Sequence, residues 1–491
     1  MGRNDIASVV EPVWISRREM LRLSGMGLGS VALASILHDE NLTASESAPH
    51  FQPRMDLWPR KTHFPAQAKA VIQLMMTGGP SQMDLFDPKP ELQRRHDQVY
   101  EVKVDPLQPG SEDNKLMASP FKFRKCGESG MDMSECLTHL PEVADDICLV
   151  RSQLGVHNNH TEGIVNFACG KMFGGRPTLG AWISYGLGTG NQDLPAFVVL
   201  RDPAGYSTSG GLMSKSGWMP AIYGGTEFSS EGPALRNLQP ASPLPPGVRQ
   251  RCLEFLAQLN ANHHQKYPAN SELESRIKNY ELAARMQLTA SRALDLSQET
   301  HTTRQLYGLE NPQTASYGKR CLMARRLVEA GVRFVQVFSE KGQPWDHHKG
   351  LPEGLPALCA KTDPGTTGLI KDLKQRGLFD STIVLWGGEF GRLPVAQDGT
   401  GRDHNKRAGS LFLAGGGFKG GLTYGATDDV GYTVTENGFT APDMFACILH
   451  QLGLDHKKLD YYHSGRFENS TDDSLTGAGV HPQIIDTPIY A

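Results

Sequence analysis

Residues 381–406 read STIVLWGGEFGRLPVAQDGTGRDHNK, and this stretch decides the fold. Its opening, Thr382 to Trp386, is β-branched and apolar without a charge, the pattern of a strand buried on both faces of a parallel sheet. The run ends in Gly387-Gly388, and a carboxylate follows at once at Glu389, with Gly391 and Arg392 behind it. Further along the same loop stand Asp403 and His404. Open α/β sheets bind ligands outside the carboxyl ends of their strands, where successive loops reach a common point. An acid on glycines at a strand end, backed by a histidine loop, therefore predicts one side of a site.

Three more apolar runs lead into similar loops. Ala70 to Met76 (AVIQLMM) ends in Thr77-Gly78-Gly79-Pro80, after which come Ser81, Asp84 and Asp87. In isolation Ser81 and Asp84 read equally well as caps of the next turn. Ile147 to Arg151 (ICLVR) leads to His157-Asn158-Asn159-His160-Thr161-Glu162. The pattern turns helical from Glu162 and stops at Gly170, so His157, His160 and Thr161 fall at a strand–helix junction that favours anions. Val332 to Phe338 (VRFVQVF) leads to Trp345-Asp346-His347-His348. Helices are expected over 317–330 and 366–376, and strand, helix, strand is the rhythm of a mainly parallel sheet.

Further strands are expected at Pro195–Leu200 and Ser410–Ala414, a hairpin near Phe121-Lys122-Phe123, and helices within 246–303 and over 442–452. Residues 201–245, rich in Gly, Ser and Pro, read as an ordered insertion over the active face, in which Tyr206, Trp218 and Tyr223 either wall the site or, the more frequent outcome, pack the loop onto the body. The chain is thus read as a signal segment at 1–40, a linker at 41–65, and one α/β domain over 66–491 with insertions around 201–310.

Composition narrows the function. A net charge of -4 leaves no basic footprint, which argues against nucleic acid as a partner. Eight cysteines include no CxxC pair, so no zinc ribbon or thioredoxin-type site is suggested; Cys126 and Cys136 are spaced to pair across a short loop. No GxxxxGK[ST], GxSxG or well-placed GxGxxG occurs. Ser16-Arg17-Arg18-Glu19 precedes a modest apolar stretch, Leu23 to Leu37, the form of a twin-arginine export signal. That stretch is too short to span comfortably as a permanent helix. The mature protein is therefore expected in the periplasm or outside the cell, without a stable membrane span, after meeting the twin-arginine export machinery.

Mixed imidazole and carboxylate donors at four strand ends suit zinc, iron or manganese, whereas carboxylates alone would suit magnesium or calcium. The candidate ligands are Asp84, His157, Asp346, His347, His348, Glu389, Asp403 and His404. Arg392 is the candidate for steadying anionic oxygens of a substrate.

The segments GGPSQMDLFDPKP, HNNHTEG, WDHH, GGEFGR, GRDHN and PDMFACILHQLGLDH resemble the family called domain of unknown function 1501, within the alkaline phosphatase/sulfatase superfamily. The resemblance spans nearly all of the chain after residue 65. It implies an alkaline phosphatase-like α/β fold and a divalent metal, zinc first, with manganese, calcium or magnesium as alternatives. Under it Glu389 takes the place of a metal-binding acid and Phe390 stands where a second ligand would be. His404 matches a late metal-binding histidine, Asp346 with His347 or His348 matches an acid–histidine pair, and His160 or Thr161 falls at the nucleophile position. No C-x-P-x-R or S-x-P-x-R formylglycine motif is present. The expected function is an exported metal-dependent hydrolase of phosphate or sulfate esters acting on a small-molecule or glycan ester. The alternative is a non-catalytic binding protein on a degenerate hydrolase scaffold, for anionic glycans.

Overall fold

The computed structural model describes residues 54–232, 247–267 and 271–488. The described residues all belong to one compact unit, Arg54–Ala491. The twin-arginine segment and the first part of the linker, at 1–53, lie outside them. Among the described residues, no helix is long and apolar enough to cross a membrane.

The frame is a sheet of nine strands among the described residues. In chain order they are β1 (Ala70–Met75), β2 (Ile147–Leu154), β3 (Phe197–Leu200), β4 (Thr226–Phe228), β5 (Phe334–Phe338), β6 (Thr382–Gly387), β7 (Gly409–Ala414), β8 (Leu422–Tyr424) and β9 (Phe439–Thr440). They lie side by side as β8-β2-β7-β6-β1-β5-β3-β4, with β9 also on β2. Every pairing is parallel except those of β7, which runs antiparallel to both β2 and β6. The mainly parallel α/β architecture expected from the apolar runs is therefore the one the chain adopts. β1, β5, β6 and β7 are buried along their whole length, as uncharged runs in a two-sided sheet must be.

Register gathers the site loops. Met75 pairs with Phe338 on one side and Gly387 on the other, so β1, β5 and β6 finish level. Because β7 is antiparallel, its entry lies on the edge where its neighbours end, and it delivers His404-Asn405 there. Trp345 anchors the loop after β5: it is fully buried, edge-on to Trp386 at 5.6 Å, and its Nε1 donates to Ser339 Oγ at 3.3 Å. Trp386 in turn stacks on Phe412 of β7 at 5.3 Å.

Helices α1 (His160–Cys169), α2 (Leu179–Leu187), α3 (Pro312–Glu329), α4 (Leu351–Gln375) and α5 (Ala441–Gln451) flank the sheet. α4 starts well before the 366 expected for it. Pro356 and Pro364 lie inside it, and a proline ordinarily ends a helix. Here a continuous buried face, including Leu351, Leu355, Leu358, Cys359, Leu369 and Leu373, holds the helix through both. The insertion after 201 also supplies β4, a short edge strand with little apolar signal. Cys126 and Cys136 are both free, buried thiols, so the pairing that their spacing would allow is not formed.

Candidate metal centre

The ends of β2 and β5 and the entry to β7 bring His160, Asp346, His348 and His404 together, one donor atom from each lying within 4.8 Å of all the others. His160 opens α1, where Asn159 is the N-cap and its side chain accepts from the Thr161 N–H at 2.9 Å. The first turn of α1 presses on the loop after β6. A Cβ at Gly163 would stand 3.1 Å from the Phe390 ring and 3.2 Å from Glu389 Cβ, so a larger residue would push these neighbours back by a few tenths of an ångström. His404 is fixed by a short antiparallel ladder in which it faces Arg392 and Asn405 faces Gly391. Gly78, at φ +113, supplies the remaining wall; a Cβ there would meet the Asp346 N at 2.7 Å.

The three imidazoles point the same way. Their Nε2 atoms surround the Asp346 carboxylate: His348 and His404 lie 2.9 and 3.1 Å from Oδ1, and His160 lies 3.1 Å from Oδ2. Each Nδ1 is held from behind. His160 Nδ1 meets Glu389 Oε1 at 2.6 Å, and that carboxylate is steadied by the Gly78 N–H at 2.9 Å. His404 Nδ1 meets the carbonyl of Asn158 at 2.7 Å. His348 Nδ1 meets Gln397 Oε1 at 2.5 Å, and the Gln397 amide is oriented by its Nε2 donating to the Pro109 carbonyl.

All three partners are acceptors, so each Nδ1 carries the proton and each Nε2 presents a lone pair. Three lone pairs facing a carboxylate repel it unless a cation lies among them. His160 Nε2 shows this directly: it is buried, close to Asp346, and makes no hydrogen bond among the described residues. This is the arrangement of metal-binding histidines, whose outer nitrogen is fixed by a carboxylate or carbonyl. The residues fit a divalent cation, and three imidazoles with one carboxylate favour zinc, manganese or iron over calcium or magnesium.

Charge around the centre agrees. Burial pushes His404 down to about 4, with Arg392 assisting, so its imidazole is neutral and ready to donate. Burial would raise Asp346, but its close contacts with the His160, His348 and His404 imidazoles and the charge of Arg392 hold it far below the usual carboxylate range. Burial opposes protonation of His160, yet Asp346 and Glu389 outweigh it and raise its pKa, a proton standing in for the cation. His160 and His404 are buried while Asp346 and His348 are only half-buried, which leaves one open side.

The other candidate residues sit elsewhere. Asp84 is fully buried in a bidentate pair with Arg402 at 2.7 and 3.2 Å and accepts from Ser81 Oγ, a structural ion pair. Asp403 Oδ2 accepts from the Leu107 and Gln108 N–H groups at 2.6 and 2.8 Å and so shapes the loop across from His348. His157 lies outside the cluster and accepts the Asn159 N–H at its Nδ1. His347 turns away from the cluster and packs against Gly354 of α4. Glu389 backs His160 rather than joining the four donors, and its Oε2 is buried without a hydrogen bond. Thr161 is exposed beside His160.

Arg392 is occupied by the protein itself. It is buried, and its guanidinium donates to the carbonyls of Gly78, Gly79, Trp345 and Arg402 and, at 2.7 Å, to Asp346 Oδ1. Phe390 lines the centre, its ring 4.7 Å from His404 and 5.1 Å from His160. Gln397, Gln108 and the Asn158 carbonyl carry no sequence signal, since they are recruited by position and not by spacing.

His347 gives a pH prediction for the metal-free protein. Burial, with Arg392 nearby, pushes it down to about 4. Its folded pKa lies below the unfolded value near 6.5, so the unfolded chain binds the extra proton between the two. Stability is therefore expected to fall as pH drops from about 6.5 to about 4, by up to roughly 3 kcal/mol from this group. Denaturant titrations of wild type and His347→Gln should converge in acid; equal slopes against pH would contradict the assignment.

The family described as "Protein of unknown function (DUF1501)" matches residues 68–481, and the chain belongs to it. No curated protein matches the chain. Among solved structures it is similar to the lipoteichoic acid synthase LtaP from Listeria monocytogenes, at 10% identity and TM-score 0.31, covering 80% of this chain and 74% of that one. It is also similar to the phosphonate monoester hydrolase SpPMH from Silicibacter pomeroyi, at 13% identity and TM-score 0.28, covering 70% and 72%. The PsFucS1 sulfatase from Pseudoalteromonas sp. follows at 10% identity and TM-score 0.31, covering 79% and 68%. At such scores these likenesses carry no argument about chemistry.

Proposed function

We propose that the protein is a metal-dependent hydrolase of phosphate or sulfate esters. The observation that carries the reading is the convergence of three Nε2 lone pairs on the Asp346 carboxylate, each fixed from behind. When bound, a divalent cation, zinc first, supplies Lewis-acid polarisation of a phosphoryl or sulfuryl oxygen and acidifies water.

The chain's own groups do the rest. His160, His348, His404 and Asp346 set the cation's position, and the half-buried Asp346 and His348 leave the approach for an ester. Glu389 holds the proton on His160 Nδ1, and Phe390 limits water on the inner side. Thr161 is the candidate attacking hydroxyl, because it follows His160 at the start of α1 and is exposed; attack would displace the ester's alcohol, to which the hydroxyl proton passes through solvent. Arg392 orients Asp346 instead of touching substrate, since its donors are already engaged.

The test is metal analysis of purified protein together with turnover of aryl phosphate and aryl sulfate monoesters. Bound metal with turnover of either ester supports the reading, and a protein that holds no divalent ion contradicts it. Glu389→Gln keeps the shape but weakens the acceptor behind His160. It is expected to loosen metal binding about 10- to 100-fold while the fold persists, measured by competition with a chelating dye. Unchanged affinity would place Glu389 outside the centre's support.

The locked state of Arg392 favours a second reading, a binding protein on a hydrolase-like scaffold. Anion binding without turnover in the metal-loaded protein would select it. Export by the twin-arginine route to the periplasm or beyond is part of the proposal and rests on the Arg17-Arg18 signal. Recovery of the protein from the cytoplasm alone would contradict it.

A further inference from the structure

Two cavities flank one short segment beyond the β3 side of the centre. The first, of about 610 Å3, lies between β3, β4 and the helix Ser271–Ala293. Its floor is apolar, with Val199, Leu282 and Phe338, and Arg201, Tyr206 and Glu227 also line it. Arg201 pairs with Glu227 and lies over the Tyr206 ring at 4.7 Å, and Tyr206 Oη donates to Glu227 Oε2 at 2.8 Å. Tyr206 is 59% exposed, far more than a packing tyrosine would be.

The second cavity, of about 510 Å3, abuts α1 at Cys169 and is walled by Trp218, which stacks on His463 at 4.8 Å and 10°. Lys215 and Ser216 line both cavities. Lys215 is exposed and makes no ion pair among the described residues.

We infer that this pair of cavities binds a chain of sugar units bearing anionic groups, with Lys215 holding an anion between two aromatic platforms. A pyranose has apolar faces and a hydroxyl rim. The faces match Tyr206 and the side of Trp218 that lines the second cavity, and the rim matches Arg201 Nη2, which has no partner among the described residues, beside the Glu227 carboxylate. A nucleic acid would need several phosphate-neutralising cations, and here Arg201 is already paired.

The cavities are tied to the metal loop through Gly342, on the segment between β5 and Asp346. Its N–H donates to the Tyr206 carbonyl at 3.0 Å, and its carbonyl accepts from Thr208 N–H and Thr77 Oγ1, both at 3.2 Å. The inference rests on the hydrolase reading only in naming its substrate class, an ester on an anionic glycan; the binding itself stands apart from turnover.

The test is calorimetric titration with dextran sulfate oligosaccharides, and with unsulfated dextran of equal length, on the full chain. Wild type is expected to bind the sulfated chain more tightly. Lys215→Ala should weaken sulfated binding about tenfold with no change for dextran, and Lys215→Arg should restore it. Tyr206→Ala, at an exposed position, should weaken both about fivefold. His404→Ala, which disables the centre, should still bind the sulfated chain. Equal binding of both sugars, or sulfated binding untouched in Lys215→Ala and Tyr206→Ala, overturns the inference even if aryl esters are cleaved. Binding that persists without any ester turnover upholds it while the hydrolase reading fails.

Discussion

Asp346→Ala is expected to lose both metal and turnover, retaining less than about a tenth of the wild-type metal content. Three imidazoles and one guanidinium converge on its carboxylate. Removing it deletes the anionic ligand and leaves Arg392 buried with carbonyls alone. Breaking a buried ion pair by removing one partner destabilises by roughly 3–5 kcal/mol. Asp346→Asn separates the two effects, because the amide keeps an acceptor oxygen for Arg392 but loses the charge that a cation needs. The asparagine variant should therefore melt closer to wild type than the alanine variant while still failing to hold metal. Elemental analysis and thermal melting on both decide it; a metal-replete Asp346→Ala protein would remove the centre from the account.

Arg392→Lys should be nearly as damaging, because it loses several charge-assisted hydrogen bonds worth roughly 1.5–3 kcal/mol each. The guanidinium joins the loops after β1, β5 and β6 through carbonyls at Gly78, Gly79, Trp345 and Arg402 and through Asp346. A lysine has three donors at one point and no planar fork, so it cannot reach partners on several sides. The two roles considered for Arg392 separate here. An anion clamp predicts a stable variant with weakened substrate binding, as a raised KM. A tie between loops predicts a lower melting temperature and looser metal together, which is the result expected. Urea denaturation with parallel metal titration distinguishes them.

Much of this was legible because strand ends in a parallel sheet converge. The apolar runs before Thr77, His157, Asp346 and Glu389 point to one sheet edge, and Asp346, His348 and His404 are among the candidate ligands, whereas His160 reads from sequence as a candidate nucleophile and stands in the structure among the four donors. Which candidates meet depends on side-chain direction, and spacing does not encode that. His347 and His348 are neighbours, yet one packs on α4 and the other reaches Asp346. Asp84 read as a ligand because it follows a glycine turn, but its partner Arg402 is remote in sequence. The antiparallel sense of β7 was equally hidden, since strand direction leaves no mark on a run such as SLFLA. Pro356 and Pro364 concealed the start of α4 because the local rule for proline yields here to a long buried face.

Phe390 takes on a definite role beside these residues. It packs on His160 and His404, on the inner side of the four donors. The geometry therefore describes a centre of four donors with Glu389 behind it.

Anomalous diffraction from crystals grown with zinc tests the central claim most directly. The account predicts one peak bounded by Nε2 of His160, His348 and His404 and an oxygen of Asp346, at about 2.0–2.2 Å from each. Absence of density there, or zinc held instead at Asp84, His157 or His347, would contradict it.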